Sequence, residues 1–564
     1  MQQDIINNIA EICYRQGISK AIISPGSRNA PLTLAFARHP HIHCFSISDE
    51  RSAAFVALGM AQAGKNPTAI ICTSGSAALN YAPAIAEAFF QQIPLLILTA
   101  DRPPEWIDQW DGQTIRQENI FGKHVKNSYN FPVDLSHKDA KWQAYRIINE
   151  SILLSKVESK GPVHVNIPFR EPFYPAKEFE WKYDPHIPII SQFSGIKELK
   201  ADAKAQLLEK FSACNKVAFL LGQEDYNQDF LQKIDEISQK LNIPVYADVI
   251  SNGHNLKNAI TLTDTLCMSL VKVADDKYVP DLLISMGKSI ISKNLKLFLR
   301  NHTKSQWHVS EALQFISDPF QTLQQLVSCT PYSFLEIIGE AEAKNNEFLY
   351  LWKNDEDKKQ VKTSEFLNSN TSDFNELSAL HQVLINLKQP TQLHLANSLS
   401  VRYVNFIGLK NLPIEKVWVN RGTSGIDGSN STAMGHAITN NHKQHLLITG
   451  DVAFFYDRNA FWHQYPYRNL KIILLNNQGG SIFRMIPGPR DQPELENFFE
   501  TKQTLNAQCL SNEFNIKHLE ANSFEKLKAK IELFLESEHT SLLEIKSDSI
   551  TNQKTFEAFK TYIK

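Results

Sequence analysis

Long hydrophobic runs are missing from this sequence. IPLLIL is typical of its longest apolar stretches, far short of the ~18 residues that a membrane-spanning helix requires. CxxC pairs are also missing. The seven cysteines (Cys13, Cys44, Cys72, Cys214, Cys267, Cys329 and Cys509) are scattered, which removes the commonest zinc and redox patterns. Most lie in apolar surroundings and read as small buried hydrophobes. An excess of either charge is absent too. A formal net charge of −2 gives no global reason to expect binding to nucleic acid or to a membrane surface. The opening MQQDIINNIAEICYRQG has no basic start and no cleavage site, and reads as an amphipathic helix. What remains is ordinary for a soluble globular protein, with 43% hydrophobic and 21% charged residues. The expectation is a cytoplasmic enzyme.

A length of 564 residues is enough for about three to four domains at ~150 residues each. Residues 1–180 alternate strand and helix. AIIS leads into Pro25-Gly26-Ser27-Arg28 and the helix APLTLAFARH. HIHCFSIS precedes Asp49-Glu50-Arg51-Ser52 and the small-residue helix AAFVALGMAQAG. TAIICTSGSAALN, PLLILTADRPP and VHVNIP complete the set. This alternation predicts a doubly wound parallel α/β sheet with its loops gathered at one edge. Residues 175–195, rich in Pro, Tyr and Phe, read as a linker. A second α/β domain is expected over 195–345, with strands near KVAFLLG, IPVYADV and DLLISMG. The polar stretch 340–375 reads as a connecting helix plus a solvated loop, and a third α/β domain as 376–564.

The densest chemistry lies in His445–Pro489. Leu446-Leu447-Ile448 and Ile472-Ile473-Leu474-Leu475 read as buried parallel strands. The first ends in Gly450-Asp451 and the second in Asn476-Asn477, one crossover apart. A βαβ unit would bring Asp451 and Asn477 to the carboxyl edge of neighbouring strands, where open α/β sheets bind ligands. One carboxylate, one amide oxygen and a nearby backbone carbonyl form part of an octahedron for Mg²⁺, with water and a phosphate-bearing ligand for the rest. Gly479 and Gly480 let the backbone approach that ligand. Either dipeptide alone is an ordinary turn after a strand; the pair at this spacing favours a metal-diphosphate site.

Other residues are open to two readings. Glu50 is either a first-turn acid favoured by the helix dipole or a carboxyl held in an apolar interface, able to exchange a proton with a cofactor nitrogen. Arg28, Arg102, Arg402 and Arg421 stand at loop edges. Singly they read as salt-bridge residues; as a set they imply an anionic substrate, to which Lys293 could add a cation. Gly422–Gly428, containing Ser424 and Ile426, is either a flexible turn or a loop that admits a bulky cofactor, with Ile426 against a ring. TSGSAALN is a capped helix or an anion site. His39, His41 and His43 read as a loop entering a strand rather than as metal ligands, because Pro40 interrupts the strand.

Taken together, ISPGSRNAPLTLA, SDERSAAFVALGMA, TADRPPEW, DGQTIRQ, NSLSVR, NRGTSGIDG, GD…NNQGGSIF and MIP resemble one family, the 2-succinyl-5-enolpyruvyl-6-hydroxy-3-cyclohexene-1-carboxylate synthases. These are thiamine-diphosphate enzymes of menaquinone biosynthesis. The resemblance covers the first and third domains almost end to end and implies three doubly wound domains of the thiamine-diphosphate enzyme type. It implies that Glu50 contacts the aminopyrimidine and that Ser424 and Ile426 face the cofactor, Ile426 propping it in a bent form. Asp451, Asn477 and the carbonyl of Gly479 would hold Mg²⁺, with Mn²⁺ an alternative ion. Ser27, Arg28, Arg102, Gln113, Lys293, Ser398, Arg402 and Arg421 would hold carboxylates and hydroxyls of 2-oxoglutarate and isochorismate. Ile482, Phe483 and Ile486 would line the apolar side. After Lys293 the family pattern has arginine, whereas this chain has Asn294. The implied reaction decarboxylates 2-oxoglutarate and adds the remaining four-carbon unit to isochorismate. Another thiamine-diphosphate 2-oxoacid decarboxylase, an acetolactate synthase-like enzyme and a non-catalytic protein that kept the fold are the rival readings. The resemblance also implies a homodimer or a dimer of dimers, with Glu50 and Asp451 meeting across a subunit interface.

Overall fold

The apolar runs become strands buried on both faces, as parallel sheets require. In the computed structural model, which describes residues 3–157, 159–193, 195, 197–272, 275–369 and 373–564, they form three six-stranded sheets. The chain divides into two compact units. One comprises Met1–Ser194, Asn420–His445 and Ala453–Leu470, and the other Gly195–Val419, Leu446–Val452 and Lys471–Lys564.

In the first unit the strands are β1 (Lys20–Ile23), β2 (His43–Ser46), β3 (Thr68–Cys72), β4 (Leu95–Asp101), β5 (Ser128–Asn130) and β6 (Pro162–Pro168). Their order is β2-β1-β3-β4-β6-β5, and neighbours pair in parallel throughout. Ala21, Ile23, Ile71, Leu98 and Val165 contribute one face of the core. The small-residue helix Glu50–Gly64 packs against the helix Ser429–Thr439. A Cβ on Gly59 would overlap the Thr432 carbonyl, and one on Gly435 would overlap the Val56 carbonyl. Two backbones can approach this closely only where side chains are absent, which explains the AAFVALGMAQAG and STAMGHA patterns.

The second unit holds two sheets. The middle one contains β7 (Val217–Leu221), β8 (Val245–Ala247), β9 (Ala259–Ile260), β10 (Leu282–Met286), β11 (Gln306–Val309) and β12 (Leu323–Val327), ordered β12-β11-β10-β7-β8-β9. The other contains β13 (Thr391–Leu395), β14 (Ile414–Trp418), β15 (Gln444–Gly450), β16 (Leu470–Asn476), β17 (Lys517–Ala521) and β18 (Ser541–Lys546), ordered β14-β13-β15-β16-β18-β17. β15 and β16 are neighbours, as the GD…NN spacing requires, so Asp451 and Asn477 follow adjacent strand ends. The polar stretch after residue 340 carries one long helix, Glu347–Ser369. The loop expected after it falls partly at 370–372, outside the described residues. No helix among the described residues is long and apolar enough to cross a membrane.

Candidate active site

In the first unit the predicted residues collect around the carboxyl ends of β1, β3 and β4. The Pro25–Arg28 loop follows β1, and Gly26 lies so close to Thr73 that a Cβ there would overlap its side chain. Gly75, at φ +90°, has the Gln113 backbone 3.2 Å from where its Cβ would stand. The Gly75 N–H donates to Gln117 Oε1 at 2.8 Å. That bond occupies one donor of the TSGSAALN turn, and the helix that follows, Ser76–Asn80, is only five residues long. The hydroxyls of Thr73 and Ser74 are buried without a hydrogen-bond partner, as groups awaiting a polar ligand would be.

Two of the predicted arginines belong to this cluster. Arg28 is buried; its Nη1 donates to the Phe169 carbonyl at 2.9 Å, and its guanidinium lies 4.5 Å from the Phe173 ring centre. Burial and the neighbouring Arg102 charge both lower the Arg28 pKa. Arg102 pairs with Asp111 at 2.9 Å and donates to the Gly112 carbonyl at 2.8 Å. Two cations close enough to disfavour each other favour an anion between or beside them. Ser27 and Gln113 are exposed beside these groups.

Glu50 opens its helix after Asp49, whose side chain caps it by accepting from Ser52 N at 3.2 Å. The carboxyl is half-buried. Its charge adds to the effect of burial in raising the pKa of Cys72, at the end of β3, and of Tyr81, just before the helix Ala82–Gln91. Arg51 ties this helix start to the Gly422–Gly428 loop by donating to the Asp427 carbonyl, and pairs with Asp457 at 3.3 Å. Burial pushes the Asp457 carboxyl up to about 7, while Arg51 pulls it down. Asp457 also accepts from the backbone and hydroxyl of Ser431, each at 2.7 Å. Arg421, Ser424 and Ile426 are half-buried on this loop. Ser424 holds φ +62°, a strained value for a residue with a side chain.

A second anchor of this loop escaped the sequence reading. Glu87, in the helix Ala82–Gln91, is 1% exposed. Its carboxylate accepts from Gly422 N at 2.7 Å, Thr423 N at 2.6 Å and Thr423 Oγ1 at 2.6 Å.

In the second unit, Asp451 is 1% exposed at the start of the helix Asp451–Tyr456. Its Oδ1 accepts from Val452 N at 2.8 Å, and its Oδ2 accepts from Gly479 N at 2.8 Å and Gln503 Nε2 at 2.9 Å. Burial pushes the carboxyl up to about 6 against these hydrogen bonds. Two residues before Gly479, Asn477 Oδ1 is buried with no hydrogen-bond partner. A buried carboxylate that binds the backbone two residues beyond an orphaned amide oxygen, at a glycine turn, fits a hard divalent cation. Among the described residues no three or more of His, Cys, Asp and Glu gather as a metal site; the donors here are mixed oxygen types.

Glu376 was also missed. It opens the helix Glu376–Ile385, is fully buried, and its Oε1 accepts from Asn477 Nδ2 at 2.7 Å. Burial, chiefly, with the Asp451 charge, pushes its carboxyl up to about 7.

Ser398, Arg402 and Lys293 lie in the same unit. Ser398 precedes the helix Leu399–Ile407 at φ +72°, another strained non-glycine residue. Arg402 is half-buried, and its charge lowers the Asp264 carboxyl, which burial raises. Lys293 is exposed at the start of the helix Lys293–His302. Asn294 is committed to Asp264: its N–H donates to Asp264 Oδ1 at 2.8 Å and its Nδ2 to the Asp264 carbonyl at 3.0 Å. Lys560, which the sequence did not single out, also interacts electrostatically with Asp264 and sits 4.6 Å from the Phe556 ring centre.

The apolar wall follows the glycine turn. Ile482 packs on the core, Phe483 lies 5.8 Å from the Phe499 ring, and Ile486 is half-buried. Arg484 grips both carboxylate oxygens of Glu500, at 2.8 and 2.6 Å, fixing the short helix Ile482–Met485 to the turn Leu495–Glu500.

The sequence matches a family described as "Thiamine pyrophosphate enzyme, N-terminal TPP binding domain" over residues 4–120. It matches "Thiamine pyrophosphate enzyme, C-terminal TPP binding domain" over residues 407–545. It is 42% identical over 560 residues to a 2-succinyl-5-enolpyruvyl-6-hydroxy-3-cyclohexene-1-carboxylate synthase of Cytophaga hutchinsonii, covering 99% of this chain and 98% of the relative. Identity to the protein of the same name from Flavobacterium psychrophilum is 38%, covering 96% and 95%. For the one from Phocaeicola vulgatus it is 35%, again covering 96% and 95%.

Proposed function

The chain belongs to the 2-succinyl-5-enolpyruvyl-6-hydroxy-3-cyclohexene-1-carboxylate synthase family of thiamine pyrophosphate enzymes, and from that premise we propose that it joins 2-oxoglutarate to isochorismate with loss of CO2. The product is 2-succinyl-5-enolpyruvyl-6-hydroxy-3-cyclohexene-1-carboxylate, an intermediate of menaquinone biosynthesis. The reading is carried by the 42% identity, which extends over 99% of the chain. The enzyme is a thiamine-pyrophosphate-dependent transferase.

Bound thiamine diphosphate supplies the carbon centre that makes and breaks the carbon–carbon bonds. The residues of this chain supply placement and charge. Asp451, Asn477 and the Gly479 carbonyl would hold Mg²⁺, or Mn²⁺ in its place, on the diphosphate. The orphaned Asn477 Oδ1 supports this assignment. Glu50 would hold a proton at the pyrimidine ring, and its half-buried position strengthens that contact. Ser424 and Ile426 would bear on the cofactor from a loop held by Glu87 and Arg51. Ser27, Arg28, Arg102 and Gln113 form one candidate anion-binding group, and Lys293, Ser398 and Arg402 another, with Arg421 on the anchored loop. Ile482, Phe483 and Ile486 would exclude water. Such an apolar wall would favour the loss of CO2, because charge is neutralised as the carboxylate leaves.

The assembly proposed is at least a homodimer, located in the cytoplasm, with domains at 1–180, 195–345 and 376–564. Calorimetry tests the site: thiamine diphosphate should bind tightly with Mg²⁺ and weakly after chelation. Binding that is indifferent to the metal contradicts it. Light scattering tests the assembly, and a monomer at micromolar concentration contradicts the dimer.

A further inference from the structure

Asn477 can serve a cation only if its amide oxygen, and not its NH2 group, is turned toward the ion. The two orientations have nearly the same shape, so packing alone does not choose between them. A chain of hydrogen bonds does, and its direction starts from a donor that cannot be reversed. The backbone N–H of Glu376 donates to Asn552 Oδ1 at 3.0 Å. That places Asn552 Nδ2 toward Ser547, to whose Oγ it donates at 2.9 Å. Ser547, having accepted, turns its own hydrogen to Glu376 Oε1 at 3.2 Å. Glu376 Oε1 is thereby an acceptor, and the group it meets on its other side, 2.7 Å away, must be the Asn477 Nδ2. Asn477 Oδ1 is left pointing away from Glu376, buried and unpartnered.

We propose that Glu376, oriented by Ser547 and Asn552, is the positioning residue that locks the Asn477 amide with its oxygen presented to the divalent cation. The inference rests on the reading of Asp451 and Asn477 as metal ligands. Glu376 acts through Asn477, as partners outside the ligand sphere do at metal sites. Without it Asn477 samples the reversed amide, which sets two N–H dipoles toward the cation.

The test reads the Mg²⁺ concentration that half-saturates thiamine diphosphate binding, measured by calorimetry on the full-length protein. Glu376→Met keeps the volume but offers no acceptor. It should raise the half-saturating Mg²⁺ about 10- to 100-fold, with the melting temperature of the metal-free protein as a folding control. Glu376→Gln retains an oxygen that Ser547 selects by its donated hydrogen, and should stay near wild type. In an Asn477→Ala background, Glu376→Met should have no further effect, because the amide it positions is gone. Wild-type binding that needs no Mg²⁺ would remove the metal reading itself. Wild-type dependence with an unchanged Glu376→Met variant, a Glu376→Gln variant as impaired as Glu376→Met, or additive effects of Glu376→Met and Asn477→Ala would each overturn the inference alone.

Discussion

Glu87 offers a quantitative test of how the Arg421–Ile426 loop is held. Its carboxylate is 1% exposed and takes three hydrogen bonds from Gly422 and Thr423. Removing it by Glu87→Ala strands two backbone N–H groups, at about 1–3 kcal/mol each. Thr423 Oγ1 can turn elsewhere and adds little. The expected loss is about 4 kcal/mol, within the range for a broken buried network. Glu87→Gln keeps the volume and one oxygen but sets an NH2 group against the second N–H. It should lose about 2 kcal/mol. At ~2–4 °C per kcal/mol for a unit of this size, Glu87→Ala should melt about 10 °C lower and Glu87→Gln about 5 °C lower. Hydrogen exchange followed by mass spectrometry supplies the local readout: amides at 422 and 423 should exchange faster in both variants, while β3 and β4 stay protected. A Glu87→Ala protein that melts with wild type and protects those amides equally well would refute the clamp.

Glu50→Gln should leave fold and cofactor binding in place while turnover falls by about 10²–10⁴; near-normal turnover contradicts its role. Asp451→Ala should lose Mg²⁺-dependent cofactor binding, and unchanged affinity by calorimetry contradicts that. In the metal-free protein, burial raises the Asp451 carboxyl from 3.8 to about 6, so the folded state keeps a proton that the unfolded chain releases. This group's contribution to stability therefore falls as pH rises through that window. Asp451→Asn should gain stability relative to wild type between those pH values, and a difference flat in pH contradicts the burial. Gly59→Val forces apart two helices in backbone contact and should cost about 2–4 kcal/mol. A melting temperature equal to wild type refutes that packing.

The strands that the sequence revealed are those buried on both faces. Ile472–Leu475 has no polar interruption and lies within β16. The edge strands were harder to read: LQQLV of β12 alternates burial, and β9 is only two residues long. The placement of Asp451 and Asn477 after neighbouring strands was legible because each follows an apolar run within three residues. Glu376 was not, because Asn375-Glu376 has the form of an N-cap and a first-turn acid. Its burial comes from Asn477 and Ser547, 101 and 171 residues away in the chain. Glu87 looks like a solvated acid in the middle of APAIAEAFFQ, and the backbone groups it holds lie on a loop 335 residues later. The consequence of Asn294 was also hidden, since it depends on the position of Asp264.

Product formation is the most direct test of the account. The purified protein is supplied with thiamine diphosphate, Mg²⁺, isochorismate and 2-oxoglutarate carrying ¹³C at C1, and the products are followed by mass spectrometry. Labelled CO2 should be released in step with an adduct of isochorismate that gains the four remaining carbons of 2-oxoglutarate. Omitting the cofactor, the metal or either substrate should abolish the adduct. A carboligation product formed from pyruvate alone, with no adduct from 2-oxoglutarate, would contradict it.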